Sequence, residues 1–179
     1  MNRELRFALD IAKEAGRLLL RRFRNLKPSE ISYKGRRNVV TVADKEAENF
    51  IVAAIREEFP ADAVLAEEAT RDALTSPRIW VVDPLDGTVN FAHGVPVFCV
   101  SVALMCEGRA ELGVVHAPAF GETWWALRGY GAFLNGERCA VTSTADITKA
   151  LLATGFAYIR EETEHNNLCL LYTSPSPRD

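Results

Sequence analysis

The chain has 179 residues, 48% of them hydrophobic and 25% charged, with a formal net charge of −3. That length suits one domain with a core of useful size, and the composition is ordinary for a globular chain. The slightly acidic balance argues against nucleic acid as a partner, and no apolar run is long enough to span a membrane. The four cysteines, Cys99, Cys106, Cys139 and Cys169, show no Cys-x-x-Cys spacing. Reduced, mostly buried thiols and a cytoplasmic location are therefore expected. Asn2 to Arg6 leads straight into an amphipathic helix, with no signal peptide.

Leu5, Ala8, Ile11, Ala12, Ala15, Leu18, Leu19 and Phe23 recur at helical spacing and form one apolar stripe. The basic run Arg21-Arg22-Phe23-Arg24 closes that helix, where cations suit the dipole. Lys34 to Val42 reads as an extended or hairpin segment. Thr41-Val42-Ala43-Asp44 fits a capping box. A second helix follows from Asp44 to Phe59, with Ala47, Phe50, Ile51, Ala54 and Ile55 on its apolar face. Ala63 to Ala66 reads as a short strand ending at Glu67-Glu68, and Ile79 to Val82 as a buried strand. Further strands are expected at Val97 to Met105, Ala110 to His116, Glu122 to Ala126, Arg138 to Thr142 and Ala150 to Thr154. Turn signals separate them at Glu107-Gly108, Pro118 to Gly121 and Asn135-Gly136. Within Glu122 to Ala126, Trp124 and Trp125 point to opposite faces, one toward the core and one toward another layer. Consecutive strands on short turns predict an α/β chain of the layered α+β kind, a mostly antiparallel sheet with packed helices. There is no internal repeat.

The densest chemistry lies in Asp83-Pro84-Leu85-Asp86-Gly87-Thr88-Val89-Asn90. Pro84 has no N–H, so the strand ladder is not expected to continue through it. Asp83 and Asp86 converge across the turn, and the Leu85 carbonyl between them is free to serve as a third oxygen. Gly87 permits a close approach that a Cβ would block. Thr88 is expected to cap a short helix whose N–H groups face an anion. Carboxylates and carbonyls suit hard divalent cations, and exposed N–H groups suit phosphate. Each piece has a plainer reading. Asp86-Gly87 alone is an ordinary strand-end turn. Asp44 alone is a helix-start charge, and Glu67-Glu68 alone a solvated loop. Nothing pairs His93 or His116 at metal-ligand spacing. His93 is expected in the short helix after the turn and His116 at a strand end. Ser101 and Cys99 lack a nearby base, which argues against nucleophilic catalysis.

Taken together, Lys34-Gly35, Val40 to Asp44, Ala66-Glu67-Glu68 and Trp80 to Phe91 stand in an order and spacing that resembles the inositol monophosphatase family. Gly113-Val114-Val115, Gly129 to Gly136 and Thr154-Gly155-Phe156 extend the resemblance to about Tyr158. The resemblance implies the sugar-phosphatase fold and a Mg²⁺-dependent phosphomonoesterase acting on inositol monophosphate or a related small ester. It implies that Glu67, Asp83 and the Leu85 carbonyl hold one Mg²⁺, and that Asp83 and Asp86 hold a second. Glu67 and Thr88 would orient and deprotonate a metal-activated water, and Asp44 would support that water or a looser third metal. Substrate would contact Glu67, Leu85, Asp86, Gly87 and Thr88, with the Gly87 and Thr88 N–H groups on its phosphate. Glu68 would be a further ligand, or stand behind the ligands or on the surface. Other substrates in the same class are histidinol phosphate, a 3′-phosphoadenosine nucleotide and fructose bisphosphate. The resemblance further implies a homodimer and, in some bacterial relatives, a binding role with the transcription machinery.

Three positions depart from the family's pattern. Ala66 replaces a glycine before the Glu pair, and Asn38 stands where an aspartate is common. The family also closes its site with an aspartate in a Trp-Asp pair far toward the C-terminus, and no such segment occurs here. Residues 1–168 are therefore expected to be the N-terminal part of such a domain, with the C-terminal layer missing. Residues 169–179, rich in Ser and Pro, are expected to be a non-native or disordered tail. A chain without that aspartate is expected to bind its second cation weakly and to show little or no activity.

Overall fold

The computed structural model describes residues 2–34, 38–66, 76–151 and 153. The chain forms two compact units, Met1–Ser32 with Val39–Ala140, and Tyr33–Asn38 with Val141–Asp179.

The first unit carries the site. Its first helix, α1 (Arg3–Arg22), starts where the Asn2 side chain accepts from the N–H groups of Glu4 (2.7 Å) and Leu5 (3.3 Å). It buries Leu5, Ala8, Ile11, Ala12, Ala15, Gly16 and Leu19. Leu18, at the margin of the expected stripe, is only half-buried. Two short strands follow, β1 (Ile31–Lys34) and β2 (Asn38–Thr41), which form a two-stranded sheet. Helix α2 (Val42–Glu58) begins two residues earlier than the apolar spacing indicates, because Thr41 is its cap.

Seven strands build the main sheet: β3 (Ala63–Leu65), β4 (Arg78–Asp86), β5 (Cys99–Cys106), β6 (Arg109–Ala117), β7 (Glu122–Leu127), β8 (Gly131–Leu134) and β9 (Glu137–Cys139). They lie side by side in chain order. Only β3 and β4 are parallel; every later pair is antiparallel. The layered, mostly antiparallel expectation therefore holds. β8 was not expected as a strand. β9 ends at Cys139, three residues short of Thr142.

Helices α1 and α2 pack on the sheet, α1 against β5 and β6 and α2 against β4. Val100, Val102 and Leu104 are the buried face of β5. Phe7, Phe59 and Trp80 meet with centroids 5.1 to 5.7 Å apart, binding both helices to β4. Phe23, Phe91 and Phe98 form a second cluster, with centroids 4.9 to 5.5 Å apart. It fixes the short helix α3 (Thr88–Ala92) against the end of α1 and the entry to β5. Trp125 packs on the core and stacks on Phe133 at 4.1 Å, while Trp124 lies half-buried on the opposite face. Among the described residues no helix is long and apolar enough to cross a membrane.

In the second unit, Asp146 caps the 3₁₀ turn Ile147–Lys149, accepting from the Thr148 N–H at 3.0 Å. The strand expected over Ala150 to Thr154 is not formed at its described positions. Ala150, Leu151 and Ala153 are irregular and exposed, so no neighbouring strand pairs with them. Leu152 and Thr154 lie outside the described residues.

Candidate functional site

The site is built where β4 runs out into α3. Along β4, Val82, Pro84 and Leu85 are buried while Asp83 and Asp86 are exposed. The two carboxylates therefore leave the sheet on its solvent side, as their spacing predicts. The ladder to β5 pairs Asp83 with Ser101, skips Pro84 and Leu85, and resumes at Asp86 with Cys99. The proline interrupts the ladder without ending the strand. Asp83 Oδ1 accepts from the Leu85 N–H at 3.3 Å, closing the bulge.

Gly87, at φ 91 and ψ 31, turns the chain into α3. It, and not Thr88, is the cap residue; Thr88 is the first residue of the helix. The Thr88 hydroxyl is used elsewhere. It lies 3.0 Å from Asp44 Oδ1 and 2.9 Å from the Leu85 carbonyl oxygen. The Leu85 oxygen is therefore within reach of a donor rather than free. A hydroxyl has one proton, so Thr88 donates to one of these acceptors at a time. A carboxylate is the stronger acceptor, which favours Asp44.

Asp44 sits at the third position of α2 and is only 4% exposed. Its Oδ2 accepts from the Thr41 N–H at 2.7 Å and the Thr41 hydroxyl at 2.6 Å, completing the capping box. Its Oδ1 is left for Thr88. The helix-start role and the site role thus use different oxygens of one side chain. Thr41, 1% exposed, is the site residue whose part the sequence showed only as a cap.

The sequence places no base beside Cys99, yet its Sγ lies 3.7 Å from Asp86 Oδ2. Burial pushes its thiol up from 9.0 to about 11, with the charges of Asp86 and Asp83 adding to the rise. His93 ends α3 as its exposed cap residue. His116 lies in β6 opposite Val100, its Nδ1 2.9 Å from Thr123 Oγ1 and 3.2 Å from the Glu122 carbonyl oxygen. Burial holds it below the usual 6.5, the Glu122 carbonyl opposes that shift, and Lys13 and Arg17 add to it.

Glu67 and Glu68 lie outside the described residues. β3 pairs in parallel with β4 up to Leu65 and Val81, so it leaves the sheet at the end where Asp83 and Asp86 stand. Among the described residues, no three His, Cys, Asp or Glu side chains form a metal-holding group by themselves. The donor set that is described consists of two exposed carboxylates and a carbonyl with a second lone pair. That set fits a hard divalent cation whose shell is completed by water or further oxygens.

The sequence profile of the inositol monophosphatase family matches residues 1–175. The fructose-1,6-bisphosphatase/inositol-1-monophosphatase of Thermotoga maritima is 40% identical over 151 residues, covering 84% of this chain and 58% of that protein. The Nus factor SuhB of Pseudomonas aeruginosa is 41% identical over 157 residues, covering 86% and 58%. The solved structure of the inositol monophosphatase from Anabaena (Nostoc) superposes with a TM-score of 0.78 at 36% identity, over 93% of this chain and 60% of that one. The chain thus spans somewhat under two thirds of the length of these relatives.

Proposed function

The chain belongs to the inositol monophosphatase family, and on that premise we propose that it is a Mg²⁺-dependent phosphatase of small phosphate monoesters, with inositol monophosphate the leading substrate. The observation that carries this reading is the Thr88 hydroxyl between a buried Asp44 carboxylate and the Leu85 carbonyl, beside Asp83 and Asp86. Asp83, Asp86 and the Leu85 carbonyl would hold the cation, with Glu67 as a further ligand. When bound, the cation would neutralise phosphate charge and make the attacking water more acidic.

The chain's own groups do the rest. Thr88 donates its hydrogen bond to Asp44, so its lone pairs would accept from the attacking water and fix its direction. Asp44 is held by Thr41 and cannot turn away. Glu67 would take the water's proton. The first N–H groups of α3 have no intrahelical acceptor, and those of Gly87 and Thr88 would hold the phosphate oxygens. Phosphoryl transfer asks mainly for this positioning and charge balance.

Phosphate release from myo-inositol 1-phosphate, with and without Mg²⁺, tests the proposal. It should be run on this chain and on a chimera carrying the remaining length of the Thermotoga relative. Release should need Mg²⁺ and fall about a hundredfold or more in Thr88→Val. Silence of both proteins toward this ester, fructose 1,6-bisphosphate, histidinol phosphate and 3′-phosphoadenosine nucleotides would overturn it. The Thermotoga relative's name favours fructose 1,6-bisphosphate as the second substrate to try. A binding role in transcription rests on the SuhB relative's name alone and ranks below catalysis. Return of no polymerase component in a pull-down from cell extract removes it. A homodimer remains part of the proposal, checked by sedimentation.

A further inference from the structure

We propose that Cys99 is a positioning residue for Asp86: its thiol donates to Asp86 Oδ2 and thereby turns the other carboxylate oxygen toward the cation. This rests on the reading of Asp86 as a cation ligand given above.

The backbone argument comes first. Asp86 and Cys99 are the pair at which the β4–β5 ladder resumes after the bulge, so their side chains share one face of the sheet. The Sγ–Oδ2 distance is 3.7 Å, in the range of a bond to the larger sulfur atom. A cysteine keeps its proton at neutral pH, and toward a carboxylate it can only donate. Cys99 is half-buried and Asp86 exposed, so the thiol approaches from the sheet and leaves the solvent side of the carboxylate open.

The residues just before Cys99 hold the same turn. The Val97 carbonyl accepts from Asn90 Nδ2 at 2.8 Å. It also closes on Gly87, where an added Cβ would lie 2.8 Å from it. The backbone of residues 86–90 is thus set by the segment entering β5. Cys99 extends that control to a side chain. Without the thiol, the exposed Asp86 carboxylate would be ordered only when the cation arrives, and binding would carry that entropic cost. An S–H···O bond is weak, so the effect is a few-fold one.

Titration of the chain with Mn²⁺, followed by electron paramagnetic resonance of the free ion, tests this without any turnover. Cys99→Ala should weaken binding about threefold, Cys99→Ser should recover most of that loss, and Asp86→Asn should weaken binding about tenfold or more. A weakened Asp86→Asn beside an unchanged Cys99→Ala overturns the role of Cys99 and leaves the cation reading standing. Equal losses in Cys99→Ala and Cys99→Ser also overturn it, because packing and not donation would then be the cause. No binding by the unsubstituted chain, or no effect of Asp86→Asn, overturns the cation reading and this inference with it.

Discussion

Gly87→Ala isolates the contact on which the site turn depends. Gly87 has φ 91, and a Cβ there would lie 2.8 Å from the Val97 carbonyl oxygen and 3.2 Å from Phe98 Cα. Both are backbone atoms of the segment entering β5, and neither can rotate away. Holding a non-glycine residue at this φ costs about 1–3 kcal/mol. Forcing the backbone apart adds about 1–3 kcal/mol. The lost flexibility of the unfolded chain returns about 0.4–1 kcal/mol. The net loss is about 3 kcal/mol, a large share of a typical domain stability of about 5–15 kcal/mol. Gly108→Ala is the internal control. Gly108 also has positive φ, 71, but nothing stands within 4 Å of its added Cβ. It should carry the conformational cost alone, about 1 kcal/mol. Urea unfolding of the two variants beside the parent measures both. If Gly87→Ala costs no more than Gly108→Ala, the turn is not held against Val97 and Phe98, and the account of how the site is fixed fails.

Gly16→Ala should destabilise by about 1–2 kcal/mol although alanine favours helices, because its Cβ would lie 2.5 Å from His116 Cδ2; a gain in melting temperature would contradict the packing described. Asp62→Ala should cost about 2–3 kcal/mol and Asp62→Asn clearly less. Asp62 accepts from Trp80 Nε1 at 3.0 Å and Arg78 Nε at 2.9 Å, and its loss strands the buried indole N–H; equal melting points for the two variants would refute this. His116 is held below its usual 6.5 mainly by burial, so below that pH the unfolded chain takes up the proton first. Stability should therefore fall as pH drops from 6.5 toward the folded value, and His116→Asn should flatten that part of the melting-temperature profile.

Local chemistry made much of this fold readable. The stripe from Leu5 to Leu19 follows one helical period and is buried along nearly its whole length. Asn135-Gly136 is a turn signal in the sequence, and both residues have positive φ, 50 and 92, as a tight hairpin requires. The strand Gly131–Leu134 was hidden because it is four residues long, opens on a glycine and is nowhere fully buried. Ala150 and Leu151 misled in the other direction. They look like the start of an apolar strand, but Leu151 is 99% exposed. An apolar run forms a strand only where a neighbour pairs with it, and pairing is not a local property. The interrupted ladder shows the same limit. Pro84 announced a break, but the bulge that lets β4 resume at Asp86 depends on Cys99 across the sheet.

The site was legible by type and order, while its wiring was not. Nothing local connects Asp44 to Thr88, 44 residues apart; only the packing of α2 and α3 on the sheet end brings Oδ1 to within 3.0 Å of the hydroxyl. In the sequence the plain and functional readings of Asp44 compete for one side chain. The structure separates them by atom. Thr41 satisfies Oδ2 with an N–H and a hydroxyl, which makes the cap. The same two bonds fix the carboxylate's rotation and aim Oδ1 at Thr88. A shorter or weaker cap would leave the carboxylate free to turn, and the proton of Thr88 would fall to the Leu85 carbonyl instead. Folding of the second helix therefore sets the direction of the Thr88 lone pairs, and a substitution that only weakens the cap should also misdirect the hydroxyl.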